Sequence, residues 1–91
     1  MATKDIHCFV HGNVQGVFFR KFAEEKARER GLVGFAQNTA DGKLEIVARG
    51  EEAKLREFIN LISVGPKHAE VESLDVEWLG NDDEHTSFEI R

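Results

Sequence analysis

The chain has 91 residues, with 12 lysines and arginines against 17 acidic residues, a net charge of −5 and a single cysteine. That length fits one compact domain over residues 1–91, with room for one modest core and one shallow site. The acidic balance argues against nonspecific binding of nucleic acid or a membrane surface, which needs a basic footprint, and one cysteine excludes an internal disulfide and leaves no thiol set for zinc.

Residues 6–11 alternate as a strand, with Ile6, Cys8 and Val10 on one face and His7, Phe9 and His11 on the other. The mixed second face predicts a sheet covered on one side and partly wet on the other. Gly12 and Gly16 mark a loop that runs to Phe18. Phe19, Phe22, Ala23 and Ala27 then predict a helix over 19–30, with Glu24 and Arg28 paired on its wet side and Gly31 as its stop. Residues 33–38 read as a second strand, Thr39-Ala40-Asp41-Gly42 as a hairpin turn, and 44–49 as a third strand.

Leu55, Phe58, Ile59 and Ile62 mark a second helix over 51–63, with Glu51 and Glu52 in its first turn and Gly65-Pro66 at its end. Residues 71–78 read as a fourth strand, with Glu72, Leu74, Val76 and Trp78 on one parity. An acidic loop over 80–86 and a short closing strand over 87–91 complete the chain. The order β-α-β-β-α-β, with a short fifth strand, specifies an α+β two-layer sandwich: both helices lie on one face of a mostly antiparallel sheet. No apolar run approaches the roughly 18 residues of a membrane span, and the start lacks a signal-peptide core, so the expected location is the cytoplasm.

None of the 17 acidic residues falls between Ile6 and Ala23 or between Arg30 and Ala40. Buried strands exclude acids in any case, but these stretches also hold the glycine loop and the start of the first helix. A strand, a glycine loop and a helix N-terminus together form a recipe for holding phosphate, with unpaired N–H groups and a positive dipole end. Arg20 stands in the first turn of that helix, where a cation is unfavourable unless an anion binds; a guanidinium makes bidentate bonds to phosphate oxygens. Read otherwise, it is a solvated surface arginine. Lys21 points about 100° away around the helix and reads as solvated. Asn38 ends the second strand, as a turn residue often does; its carboxamide is also able to orient a water without adding charge that repels an anion.

Other residues offer less. His7 and His11 are about 13 Å apart on a strand, too far to share a metal. Cys8 reads as a small core residue, the serines lack a nearby histidine, and Asp82-Asp83-Glu84 reads as solvated. No metal or cofactor site is expected.

The run Gly12-Asn13-Val14-Gln15-Gly16-Val17-Phe18-Phe19-Arg20 resembles the first signature of the acylphosphatase family, and Gly31-Leu32-Val33-Gly34-Phe35-Ala36-Gln37-Asn38, with Asp41-Gly42 and Gly50, resembles its second. Gly65-Pro66, Ala69, Val71 and the closing Phe88-Glu89-Ile90-Arg91 extend the resemblance over residues 6–91. The resemblance implies a ferredoxin-like sandwich and a monomer that hydrolyses small acyl phosphates to carboxylate and inorganic phosphate without metal or cofactor. It also implies the roles: Gly12, Asn13, Val14, Gln15, Gly16, Val17, Phe18 and Phe19 cradle the phosphate, Arg20 clamps it and Asn38 positions the water. Inorganic phosphate is then product and inhibitor, with no nucleic-acid or membrane partner. Phe18 departs from the pattern, standing where many members carry Gly or Cys. A catalytically weak phosphate-binding module is the alternative reading. The named contacts all address phosphate, so little selectivity for the acyl group is expected.

Overall fold

Alternation decides which side of the first strand is dry. In a computed structural model, which describes residues 3–79 and 86–91, strand β1 spans Thr3–Asn13 and buries Ile6, Cys8 and Val10 completely. Helix α1 (Phe19–Glu29), strands β2 (Val33–Asn38) and β3 (Leu44–Glu51), helix α2 (Glu52–Val64), strand β4 (Glu70–Leu79) and strand β5 (Phe88–Ile90) follow. The sheet order is β4-β1-β3-β2-β5. All pairs are antiparallel except β2 with β5, which is parallel. The fold is the ferredoxin-like α+β sandwich, with both helices on a five-stranded mixed sheet.

One core lies between the layers. Ile6, Cys8, Val10, Ala36, Leu44, Ile46 and Ala48 from the sheet meet Phe19, Ala23 and Ala27 of α1 and Leu55, Phe58 and Ile62 of α2. Burial pushes the Cys8 thiol up to about 12, so it is a neutral packing group. The other face is polar: the His7 ring donates to Glu45 at 2.7 Å and the His11 ring to Asp75 at 2.7 Å.

α1 ends in a Schellman motif, with Gly31 N–H donating to Arg28 O and Leu32 N–H to Ala27 O. Glu24 is not on a wet side: it is buried and held between Lys21 at 2.9 Å and Arg28 at 3.3 Å, and the two cations compensate its desolvation. α2 starts one residue later than the pattern predicts, because Glu51 still belongs to β3 and serves as the N-cap. Most of the expected acidic loop over 80–86 lies outside the described residues.

A bulge corrects the reading of the fourth strand. Val10 pairs with Leu74 and His11 with Ser73, but Gly12 pairs with Val71, so the register shifts between His11 and Gly12. Val71, rather than Glu72, therefore joins Leu74 and Val76 against the core. The same bulge carries β1 through Asn13, so the loop begins later than the two glycines suggest. At Gly12 the backbone has φ 127°, and a Cβ would stand 2.1 Å from the Glu70 carbonyl oxygen.

Gly12→Ala should therefore lower the unfolding free energy by about 2–4 kcal/mol, since neither β1 nor β4 can move without breaking the ladder. Gly16, at φ 72° with nothing within 4 Å of a Cβ, should cost only about 1 kcal/mol as Ala, from backbone strain alone. Urea unfolding of the two variants beside the parent checks the difference; equal losses would show that the contact with β4 is not limiting.

Candidate active site

The loop that leaves β1 packs on the core at two points. Val14 is buried in the core and Val17 packs against it, while Gly16 and Phe18 are exposed. Among the described residues, no main-chain oxygen accepts a hydrogen bond from the N–H groups of Gln15, Gly16, Val17 or Phe18. Such groups are satisfied by water or by an anion. Phe18 is the N-cap of α1, in the left-handed region at φ 62° and ψ 23°, and no side chain caps the helix. A non-glycine residue there costs about 1 kcal/mol or more. The first turn of α1 contains no acid, so its positive dipole end is uncompensated.

Arg20 stands in the first turn of this helix and lines a cavity beside it. Its Nη1 donates to the main-chain oxygen of Arg91 at 2.9 Å; among the described residues no carboxylate side chain pairs with it. Residue 91 is brought there by β5, since Arg91 N–H donates to Ala36 O on β2 at 2.8 Å and the Arg91 guanidinium lies 4.2 Å from the Phe35 ring centroid. The guanidinium is thus oriented by the residue that follows β5.

Asn38 approaches from the other side. It ends β2 opposite Leu44, and among the described residues its carboxamide has no hydrogen-bond partner. The turn that follows is rigid: Thr39 N–H donates to Lys43 O at 3.0 Å, and Lys43 N–H to Thr39 Oγ1 at 3.0 Å. The Thr39 hydroxyl, and then the Lys43 ammonium, hold the Asp41 carboxyl below the usual carboxylate range. Gln15 ties this turn to the loop, its Nε2 donating to Thr39 O at 2.8 Å and to Lys43 O at 2.8 Å.

Val14, Gly16, Phe18, Phe19, Arg20 and Asn38 line one cavity of about 250 Å³, together with Lys21 and Ile90. Of the residues marked out in the sequence, Gly12 and Asn13 lie instead in β1, paired with Val71 and Glu70. The Gln15 side chain serves the hairpin, and Val17 serves the core. Lys21, expected to be solvated, lines the cavity but directs its ammonium to Glu24; the three-residue spacing of the pair was a visible signal. Ile90 carried no signal, because its place depends on β5 pairing with β2. The lining contains no carboxylate and no histidine. The arrangement can hold a small tetrahedral anion and present an uncharged amide beside it.

The family model of acylphosphatase matches residues 6–90. A protein of Methanococcoides burtonii named acylphosphatase is 39% identical over 93 residues, which cover 99% of this chain and 97% of the relative. The crystal structure of acylphosphatase from Bacillus subtilis is similar at a TM-score of 0.94 and 33% identity, covering 97% of this chain and 98% of that one. The structure of an acylphosphatase from Coxiella burnetii gives a TM-score of 0.92 at 35% identity, covering 98% and 93%.

Replacing Gln15 by Leu should unfasten the loop from the turn. Both carbonyls keep a second donor, from Gly42 N–H and Thr39 N–H, so the loss should be about 1–2 kcal/mol, two ordinary hydrogen bonds. Urea unfolding reads the loss, and faster amide exchange at Gly42 reads the loosened turn; unchanged values for both would show that the tie contributes nothing.

Proposed function

The chain belongs to the acylphosphatase family and is an acylphosphatase, and from that premise we propose how its residues divide the work of hydrolysing the carboxyl-phosphate bond. The phosphoryl group sits on the unpaired N–H groups of residues 15–18 and the open end of α1. Arg20 binds its oxygens as a charged fork. Asn38 accepts a hydrogen bond from the attacking water and sets its line of approach. The water oxygen forms a bond to phosphorus as the bond from phosphorus to the acyl oxygen breaks. The carboxylate leaves without a proton, since its conjugate acid has a pKa of about 4. The proton given up by the water passes to the phosphate oxygens. Such a reaction is mostly positioning and charge stabilisation, which suits a cavity lined by a guanidinium and an amide but no general acid.

The observation that carries this reading is that Arg20 and Asn38 line one cavity from different elements, together with Phe18 and Phe19 at the uncapped start of α1. Inorganic phosphate is the product and, addressing the same groups, a competitive inhibitor. Residues 1–91 act as one unit, a monomer working in the cytoplasm. Among the described residues, no helix is long and apolar enough to cross a membrane.

Arg20 serves bound phosphate and transition state alike, whereas Asn38 contributes only when water attacks. With benzoyl phosphate as substrate, Arg20→Ala should lose turnover and phosphate binding together. Asn38→Ala should lose about 10²-fold in kcat, as when one positioned polar group is removed, and keep its affinity for phosphate. Phosphate at 100 times its Kd stabilises by about 2.7 kcal/mol, a melting shift of roughly 10 °C or more for a domain of this size. The parent and Asn38→Ala should show that shift and Arg20→Ala almost none. Loss of the shift in Asn38→Ala would make Asn38 a binding residue and overturn the division of roles.

A further inference from the structure

The two edges of the sheet end differently. One is β5, three residues long. The other is β4, ten residues long, whose strand partner is β1. Among the described residues, no loop or turn makes a main-chain hydrogen bond to the outer side of β4. A bare edge of that length is a template for another strand, and proteins blunt such edges with lysine, proline or a bulge. β4 contains neither lysine nor proline. Its bulge lies opposite His11 and Gly12, so Ser73 to Leu79 run in unbroken register with β1.

The two sides of this edge differ in chemistry. Toward α2, Val76 and Trp78 line a groove of about 200 Å³ with Arg56, Ile59 and Asn60. Trp78, the single tryptophan of the chain, is exposed there, with the Arg56 guanidinium 5.0 Å from its ring centroid. On the other side stand Asp75 and Glu77, both exposed. Asp75 meets His11, and among the described residues Glu77 has no ion pair. By contrast, Glu24, Glu29, Glu52 and Glu57 of the helices each face a lysine or arginine. β4 carries carboxylates at Glu70, Glu72, Asp75 and Glu77 and no lysine or arginine of its own.

We propose that the outer edge of β4 docks an extended segment of a partner protein in which basic and apolar residues alternate. The segment adds to the sheet as a further strand, its main chain pairing with β4. Its apolar side chains enter the groove beside Val76 and Trp78, and its lysines or arginines lie beside Asp75 and Glu77, because successive residues of a strand point to opposite faces. Charge complementarity selects this occupant over a second copy of the chain. Two β4 strands paired antiparallel about Val76 would set the acids of one copy directly against those of the other, which is destabilising. The surface is independent of the reaction proposed above.

The probe is a short synthetic peptide of alternating lysine and valine with blocked ends. Its binding is followed by calorimetry, by Trp78 fluorescence and by amide exchange along residues 73–79. One control replaces every lysine by glutamate, and a second methylates the peptide's amide nitrogens. The lysine peptide should bind about tenfold more tightly than the glutamate peptide, as two exposed ion pairs would give. It should also shift the Trp78 emission and slow exchange along β4. Asp75→Asn with Glu77→Gln, a mild pair of surface changes, should abolish the preference, and Asp75→Lys with Glu77→Lys should reverse it. Equal binding of the lysine and glutamate peptides, or a preference that survives Asp75→Asn with Glu77→Gln, overturns the proposal. So does undiminished binding of the methylated peptide, or unchanged exchange along β4, since either shows attraction without strand pairing. A dimer in sedimentation whose formation shifts Trp78 emission would make a second copy the occupant and overturn it as well.

Discussion

The site depends on one row of the sheet. Val10 of β1 pairs with Leu44 of β3, and Leu44 pairs with Asn38 of β2. Val10, three residues before the end of the first strand, the start of the third and the end of the second are therefore level. The loop that follows β1 and the turn that follows β2 leave the sheet at the same end, and residues separated in sequence face each other. Leu44 is completely buried at the centre of the row. A slip of one residue in either pairing would turn that side chain to the wet face and carry Asn38 away from Arg20. Burial of the core thus holds the register, and the register holds the site.

Charge is distributed around that row by pairing rather than by exclusion alone. Glu24, one turn along α1 from Arg20, is occupied by Lys21 and Arg28, and Glu89, next to Ile90 of the lining, by Arg91. Buried Asp5 is met by Arg49 at 3.3 Å. In a chain of net charge −5, this arrangement leaves a guanidinium and an uncapped helix end at a cavity whose lining contains no carboxylate side chain. A guanidinium and the N-terminal end of a helix both favour an anion there, although the protein as a whole is acidic.

The site stands on rigid supports. The loop is pinned through Val14 and Val17, and its Gln15 amide fastens it to the hairpin. The hairpin is closed by the bonds between Thr39 and Lys43, and Arg20 is steadied by the end of β5. Each group is thereby held before a ligand arrives, which is what a reaction carried mainly by positioning requires. Phe18 is the exception: its main chain is strained and its ring is held by no packing.

Periodicity and turn chemistry settled the elements and the fold class, because the alternation of Ile6, Cys8 and Val10 and the stripe of Leu55, Phe58 and Ile62 are local patterns with one stable solution. Arg20 and Asn38 were candidates in the chain itself, a cation in the first turn of a helix and an amide at the end of a strand, and the structure places both on one cavity. The amino-acid order alone did not reveal the bulge opposite Gly12, which moves Glu72 outward and Val71 inward, because a bulge depends on two strands rather than one. Nor did it reveal that Gln15 serves the hairpin or that Ile90 reaches the cavity. Those facts depend on β5 pairing in parallel with β2 and on the loop lying against the turn. Contacts between segments distant in sequence carry no local period, so only the tertiary structure decided them.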